Sequence, residues 1–190
     1  CSSDLPQRSQ NQAPARTVPP VYKKPIRPPE KKTLYSEFGL DPKLVDVLIK
    51  NKFIEATKVQ AASIPVTLKG RNVFCSSQTG SGKTLAFLVP MFQKLMTKEI
   101  SQALIVCPTR EIAIQTQKVL QIFLSLGNFK SGLVVGGTNM MEQKRILHQY
   151  PEILVATPGR LLDMVSTGVI WLQYTGYVVL DEADRMADMG

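Results

Sequence analysis

The chain has 190 residues, of which 44% are hydrophobic, and it carries a formal net charge of +8. This length suits one α/β domain and a tail, and neither a membrane-spanning run nor a secretory signal is present. Three scattered cysteines, Cys1, Cys75 and Cys107, fit neither a disulfide framework nor a zinc site, so we expect a reducing, intracellular compartment, cytoplasmic or nuclear. Because residue 1 is Cys rather than Met, we expect a piece of a longer protein.

Residues 1–33 are predicted to form a disordered or extended tail. They hold seven of the thirteen prolines and a net charge of +5, which leaves +3 for the rest of the chain. So few large apolar side chains cannot offset the entropy of ordering. The charge favours a nucleic acid as partner. The tail could be a basic, sequence-independent tether for RNA or a solvated linker, and the sequence leaves both open.

Two helices are predicted at the start of the domain, which we place at residues 34–190. Asp41 followed by Pro42 is typical of a helix start, with Asp as N-cap and Pro in the first turn. A second helix begins after Thr57, its predicted cap, and ends before Gly70. The apolar stripe of the first helix consists of Leu44, Val45, Leu48 and Ile49.

Apolar strands then alternate with helical patterns. The clearest helix covers 111–126, with apolar residues on one face. Cys75 and Cys107 fall in strands and are expected in the core. Near-continuous apolar strands between helices predict an α/β fold, a parallel sheet with helices on both faces. The predicted strands are 72–76, 103–107, 132–135, 153–156 and 177–180.

A glycine-rich stretch between the first strand and the next helix predicts a phosphate-binding loop. Its backbone N–H groups and the helix N-terminus suit a triphosphate. Lys83 adds a charge for the β- and γ-phosphates, and the Thr84 hydroxyl can ligate Mg²⁺. The strict pattern has Gly where Ser77 stands, so the loop is a variant. It comprises Ser77, Gln78, Thr79, Gly80, Ser81, Gly82, Lys83 and Thr84.

Two carboxylates follow the last apolar strand. Asp181 at the end of such a strand can hold Mg²⁺ on the phosphates, and Glu182 can take a proton from water. Ligands of parallel sheets gather beyond the carboxyl ends of the strands. We therefore expect the phosphate loop, these acids and the segments 108–110, 136–137 and 157–160 to converge on one rim.

Taken together, residues 35–190 resemble the first RecA-like domain of the DEAD-box RNA helicases. Asp181-Glu182-Ala183-Asp184 stands as in that family. The loop 77–84, the stretch 108–115, Gly136-Gly137 and Thr157-Pro158-Gly159-Arg160 occur in the family's order. Five ordered matches are specific, whereas any one alone is weak.

The resemblance implies that Gln60 reads adenine through its amide and that Tyr35 stacks on the base. Lys52-Phe53 and Ala56-Thr57 depart from the family's adenine motif, with Lys for Gly and Ala for Pro, while Phe53 keeps the aromatic. A bidentate amide contact discriminates bases by roughly 1–3 kcal/mol, which favours ATP over GTP. The alternative for Gln60 is a surface glutamine on a helix, and the alternative for Tyr35 is a tyrosine of the core.

The resemblance also implies a single-stranded RNA partner. Backbone N–H groups, Thr hydroxyls and arginines can hold phosphates without reading sequence, and 2′-OH contacts distinguish RNA from DNA. The alternative for Arg110 is a helix-start residue bonded within the protein. The RNA-binding candidates are Pro108, Thr109, Arg110, Gly136, Gly137, Thr157, Pro158, Gly159 and Arg160.

The implied activity is ATP hydrolysis coupled to RNA binding and local unwinding. Asp184 is expected to link the nucleotide site to a second RecA-like domain, which supplies arginine fingers in this family and is absent from this chain. We therefore expect the chain alone to bind nucleotide weakly, hydrolyse it very slowly and unwind nothing. The alternatives are an ATP-gated RNA clamp or assembly scaffold, and an ATPase that acts on DNA or protein.

Overall fold

The computed structural model describes residues 32–188. The predicted tail therefore lies outside the described residues except for Lys32 and Thr33. No helix within 32–188 is both long and apolar enough to cross a membrane.

The N-terminal elements form as their capping signals predict. Strand β1 (Thr33–Leu34) pairs antiparallel with β2 (Glu55–Ala56), and a single 3-10 turn (Tyr35–Phe38) follows β1. Helix α1 (Pro42–Lys50) begins where the Asp41 carboxylate accepts from the Lys43 N–H at 2.8 Å. Helix α2 (Lys58–Leu68) begins after Thr57. Both predicted helix starts are confirmed.

A parallel sheet of four strands forms the centre of the domain. Its strands are β3 (Gln102–Val106), β4 (Ser131–Val134), β5 (Ile153–Ala156) and β6 (Thr175–Leu180), and in space they run in the order β4, β5, β3, β6.

Five helices connect or follow these strands: α3 (Lys83–Met96), α4 (Arg110–Gln121), α5 (Met140–Leu147), α6 (Pro158–Ser166) and α7 (Ala183–Asp188). Helix α4 is shorter than predicted, because the chain leaves the helix after Gln121 and makes a 3-10 turn at Leu124–Leu126.

Helices cover both faces of the sheet, as the near-continuous apolar strands predict. Alternate strand residues point to opposite faces. Ala103 and Ile105 pack into a core built with α1, α2, α3 and α4. Leu104 and Val106 pack into a second, smaller core with α5 and α6. The α/β fold with helices on both faces is confirmed.

The predicted first strand does not join this sheet. Residues 72–76 are extended but pair with no strand among residues 32–188, and Phe74 is 93% exposed. Cys75, expected in the core, is exposed as well. A cleft of about 1180 Å³ separates this segment from β6, whose Val178 and Leu180 are exposed. The prediction of a core strand at 72–76 is therefore wrong, because no strand among the described residues lies beside this segment to bury its apolar side chains.

Candidate functional site

The glycine-rich loop links the extended segment to the start of α3. Gly80 and Gly82 adopt left-handed backbone conformations, with φ of +80° and +93°, which non-glycine residues rarely adopt. The Lys83 ammonium donates to the carbonyl oxygen of Ser77 at 2.6 Å. The hydroxyl oxygens of Ser77 and Ser81 lie 2.8 Å apart, within hydrogen-bond distance. The serine that departs from the strict pattern thus closes the loop from one side to the other.

The acidic pair lies across the same cleft from this loop. The N–H of Asp181 donates to the Val106 carbonyl at 2.9 Å, which fixes the end of β6 against β3. Burial raises the pKa of the Asp181 carboxyl; Glu182 raises it further, and Lys83 opposes the rise. Loop residues and both acids line the cleft. The structure therefore brings the predicted phosphate loop and the predicted acids together.

Glu182 and Asp184 lie at the mouth of this cleft. Glu182 has a left-handed φ of +50°, which is uncommon outside glycine. Its carboxylate accepts from Arg185 at 3.4 Å, an exposed pair of the kind that adds little stability. Asp184 is exposed and also lines the cleft. Both carboxylates can therefore turn toward a ligand at small energetic cost.

The donor set at the cleft fits a magnesium ion that shares its coordination with phosphate. Within residues 32–188 no three His, Cys, Asp or Glu side chains cluster as a metal site. Mg²⁺ is usually held by one or two carboxylates together with substrate phosphates and water. Asp181, whose pKa is raised chiefly by burial, and the half-buried Thr84 are suited to that role.

Gln60 connects the N-terminal elements to the phosphate loop. Its Oε1 accepts from the Tyr35 hydroxyl at 2.6 Å and from the Thr57 N–H at 2.8 Å. Its Nε2 donates to the Gly82 carbonyl at 2.9 Å. Gln60 is only 2% exposed, so the alternative of a surface glutamine is wrong. A buried amide with three partners holds the loop in position.

Tyr35 lies in the core of the domain. It is 2% exposed, and burial raises the pKa of its hydroxyl. In this conformation the ring offers almost no face on which a base could stack, which matches the alternative of a core tyrosine. Phe53 is half-buried and packs against the same core.

The first two predicted RNA-binding segments meet at Gly137. Thr109 caps α4 by accepting from the Ile112 N–H at 3.4 Å, and Pro108 before it is buried. The Arg110 guanidinium is exposed and donates to the Gly137 carbonyl at 3.2 Å. A Cβ at Gly137 would lie 3.1 Å from that nitrogen, and its φ is +71°. The left-handed φ favours glycine there, whereas the exposed Arg110 side chain could shift to admit a Cβ. Arg110 is bonded within the protein while remaining open to solvent.

The third predicted segment begins α6. Thr157 is the N-cap and Pro158 the first helical residue. Gly159 faces open space, and Arg160 is half-buried. The Thr157 N–H donates to the Val134 carbonyl at 3.0 Å, which holds this helix start beside the end of β4. Exposed N–H groups at a helix start next to two arginines suit an anion.

Comparison with known proteins gives this arrangement a family. Residues 57–190 match the DEAD/DEAH box helicase domain. The chain belongs to that family. The ATP-dependent RNA helicase RhlB of Proteus mirabilis is 42% identical over 164 residues, 82% of this chain and 38% of the relative. The human ATP-dependent RNA helicase DDX42 is 41% identical over 169 residues, which cover 86% of this chain and 18% of the relative. The ATP-dependent RNA helicase CshA of Listeria monocytogenes is 42% identical over 159 residues, which cover 83% of this chain and 31% of the relative.

The chain thus spans between 18% and 38% of the length of these three helicases. The resemblance to the DEAD-box family is confirmed, and so is the α/β fold that it implied.

Sequence reasoning missed one residue of this DEAD/DEAH box domain that lies between the predicted segments. Gln143 in α5 is buried and contacts both the glycine pair's loop and Arg160. Its signal in the sequence is weak. It lies one helical turn before the buried Leu147, so a polar residue occupies an inward-facing position of an amphipathic helix.

Proposed function

We propose that this domain is the ATP-binding half of an RNA-dependent ATPase that separates RNA strands locally after closing on a second RecA-like domain. The observation that carries the proposal is the cleft that the phosphate loop and the acidic pair share. Across it, the positive charge of Lys83 acts on Asp181 and opposes the rise in pKa that burial causes. The family relatives, which are named ATP-dependent RNA helicases, support the same reading.

In this proposal different side chains bind the phosphates, hold the metal ion and activate the attacking water. Lys83 leaves the Ser77 carbonyl and binds the β- and γ-phosphates, while the loop N–H groups hold their oxygens. Thr84 and Asp181 hold Mg²⁺, which neutralises charge on the phosphates when bound. Glu182 exchanges Arg185 for a water molecule, orients it for attack and accepts its proton.

Gln60 selects adenine in this proposal, but only after a change of partners. Both lone pairs of its Oε1 are already taken, one by Tyr35 and one by Thr57. To accept from the exocyclic amine of adenine, Oε1 has to lose one of these donors. Nε2 keeps one N–H free of Gly82 for a ring nitrogen of the base. Guanine carries an acceptor in place of that amine and is disfavoured.

The RNA interface is proposed along the loops after β3, β4 and β5. Arg110 and Arg160 supply positive charge beside the exposed Gly136-Gly137 pair and the start of α6. Such groups contact phosphates and sugars, so binding should be largely independent of sequence. Asp184 is proposed to couple the cleft to the second domain. An RNA substrate and free thiols at Cys75 and Cys107 suit an intracellular protein.

The test is ATP hydrolysis by the full-length protein that carries this domain, measured with and without single-stranded RNA. We expect RNA to stimulate hydrolysis and Glu182→Gln to abolish the stimulated rate, because the amide cannot take a proton from water. A matched control is Glu152→Gln, since Glu152 lies just before β5, at the end of the strands opposite the loops, where it accepts from the Lys130 N–H at 2.8 Å. Hydrolysis that RNA does not affect, or that DNA stimulates equally, would overturn the assignment of RNA as the activating substrate.

A further inference from the structure

We infer that Gln143 is a positioning residue for RNA binding: its buried amide holds Arg160 against the loop 135–138 and so fixes the direction in which the guanidinium meets phosphate. This inference rests on the proposed RNA interface. Gln143 lies outside the three segments that are predicted from the sequence to contact RNA.

The contacts of the Gln143 amide join three elements. Nε2 donates to the Val135 carbonyl at 2.9 Å and to the Thr138 hydroxyl, and Oε1 accepts from Arg160 Nη1 at 3.3 Å. Thr138 in turn donates to the Val135 carbonyl at 3.0 Å. Helix α5, the loop after β4 and helix α6 are therefore linked through one side chain.

Burial makes this link stiff. Gln143 is 5% exposed, and both of its amide hydrogens have partners. Leaving a buried donor or acceptor unpaired costs about 1–3 kcal/mol, so the amide resists rotation away from the loop. Its Oε1 therefore presents a fixed acceptor to Arg160. An arginine held at one nitrogen keeps its other N–H groups for a ligand.

The same loop is also held from the other side. Arg110 donates to the Gly137 carbonyl, so hydrogen bonds run from Arg110 through the loop to Gln143 and on to Arg160. The two arginines that are proposed to contact RNA thus have a fixed relation through backbone atoms of one short loop. A flexible strand of phosphates binds best to cations whose spacing is set in advance.

A purely structural role would not need an amide at this position. Gln143 shares the inward face of α5 with Leu147, where an apolar side chain would pack without any need for partners. The amide instead leads from the buried face to Arg160, which is half-buried and near the surface. The contact with Arg160 therefore accounts for an amide side chain at position 143.

The experiment is a double-mutant cycle on the full-length protein, with the Kd of a fluorescein-labelled ten-nucleotide oligouridylate measured by anisotropy in excess non-hydrolysable ATP analogue. We expect Gln143→Leu to weaken RNA binding about fivefold, in the range of direct couplings. In the Arg160→Ala background the same change should cost less than about twofold. The affinity for the ATP analogue alone should not change.

The matched control is Gln117→Leu. Gln117 is a half-buried glutamine on α4 whose Nε2 donates to Ser131 at the other end of β4, away from the loops. It should leave RNA affinity unchanged. If Gln143→Leu lowers the Tm by clearly more than the control does, Gln143→Met is used in its place. Methionine keeps the length of the side chain and packs without hydrogen-bond partners, but it cannot hold Arg160, so RNA binding should still weaken.

The outcomes separate this inference from the proposed function. If the unaltered protein binds no RNA, the proposed RNA interface is wrong and this inference falls with it. If the unaltered protein binds RNA but Gln143→Leu and Gln143→Met bind equally well, only the positioning role is overturned. Additive losses for Gln143→Leu and Arg160→Ala would also overturn it, because Gln143 would then act independently of Arg160.

Discussion

The Lys83 ammonium lies 2.6 Å from the carbonyl oxygen of Ser77, six residues earlier in the same loop. The cation proposed to bind phosphates is thus held by the backbone that surrounds their expected position. This contact supplies an acceptor for a half-buried charge, which would otherwise be costly to leave without a partner. Phosphate oxygens can replace the carbonyl at once, because the side chain already points into the loop.

Lys83→Met should therefore weaken nucleotide binding with little change in stability. We expect the Kd of a fluorescent ATP analogue with Mg²⁺ to rise by at least about tenfold, since a charge-assisted contact to phosphate is lost. Lys94→Met is the control. Lys94 lies on the same helix and pairs with Glu99 at 2.6 Å, away from the loop. Equal losses in the two variants would show that lysines of α3 act through the fold and not through phosphate contact.

Gly82→Ala should destabilise the domain more than Gly80→Ala. Both glycines have positive φ, and a left-handed residue other than glycine costs roughly 1–2 kcal/mol. Only at Gly82 does an added Cβ meet other atoms, at 2.5 Å from Gln60 Nε2 and 3.0 Å from Thr57 Oγ1. The difference between their free energies of unfolding in urea measures that collision. Equal values would mean that the Gln60 amide moves aside freely.

Tyr35→Phe should lower stability and tighten ATP binding. Loss of the buried hydrogen bond to Gln60 costs about 1 kcal/mol. It also frees one lone pair of Gln60 Oε1 for adenine, so we expect the Kd for ATP to fall a few-fold in a titration. Tyr177→Phe is the control, since Tyr177 is half-buried and its hydroxyl donates to the Phe87 carbonyl at 3.2 Å. It should lose similar stability without any gain in affinity; weaker ATP binding by Tyr35→Phe would contradict the proposed exchange of partners.

The two described cysteines should differ strongly in reactivity toward iodoacetamide. Burial, together with the negative charges of Asp181 and Glu182, raises the pKa of Cys107 to about 12. A raised pKa keeps the thiol protonated, so at about pH 8 only about one in ten thousand molecules carries the thiolate. Cys75 is exposed and should react at an ordinary rate.

The measurement is the mass of the alkylated protein over time in a Cys1→Ser background. One alkyl group should add quickly at Cys75, and the second only after unfolding in urea. Simultaneous modification of both thiols in the folded protein would show that the end of β3 is open to solvent.

Local signals in the sequence were enough for the helix starts and the central strands. The caps at Asp41 and Thr57 act within a few residues of themselves, and the buried strand β5 (Ile153–Ala156) is apolar throughout. The segment 72–76 has an apolar centre, Val73-Phe74-Cys75, between Asn72 and Ser76. Its burial depends on an adjacent strand, and the sequence pattern does not reveal which strands are neighbours.

In the candidate site, too, local features could be predicted from the sequence and long-range contacts could not. The phosphate loop and the acids could be found because backbone chemistry fixes their spacing, and they line one cleft. The burial of Tyr35 and the contacts of Gln143 arise from distant parts of the chain. A single aromatic or amide side chain has the same appearance in sequence whether it faces a ligand or a neighbouring helix.

The exposed Phe74 lies just before the phosphate loop, across the cleft from the exposed Val178 and Leu180 of β6. Fully burying such a side chain contributes about 1.5–3 kcal/mol, and about 1.4 kcal/mol corresponds to a tenfold change in an equilibrium constant. Any surface that covers Phe74 would hold the loop's entry segment in place with that energy, although it touches neither phosphate nor Mg²⁺. If the arrangement with Phe74 covered is the one that binds ATP, an element packed beside β6 would raise the affinity for ATP without contacting the nucleotide.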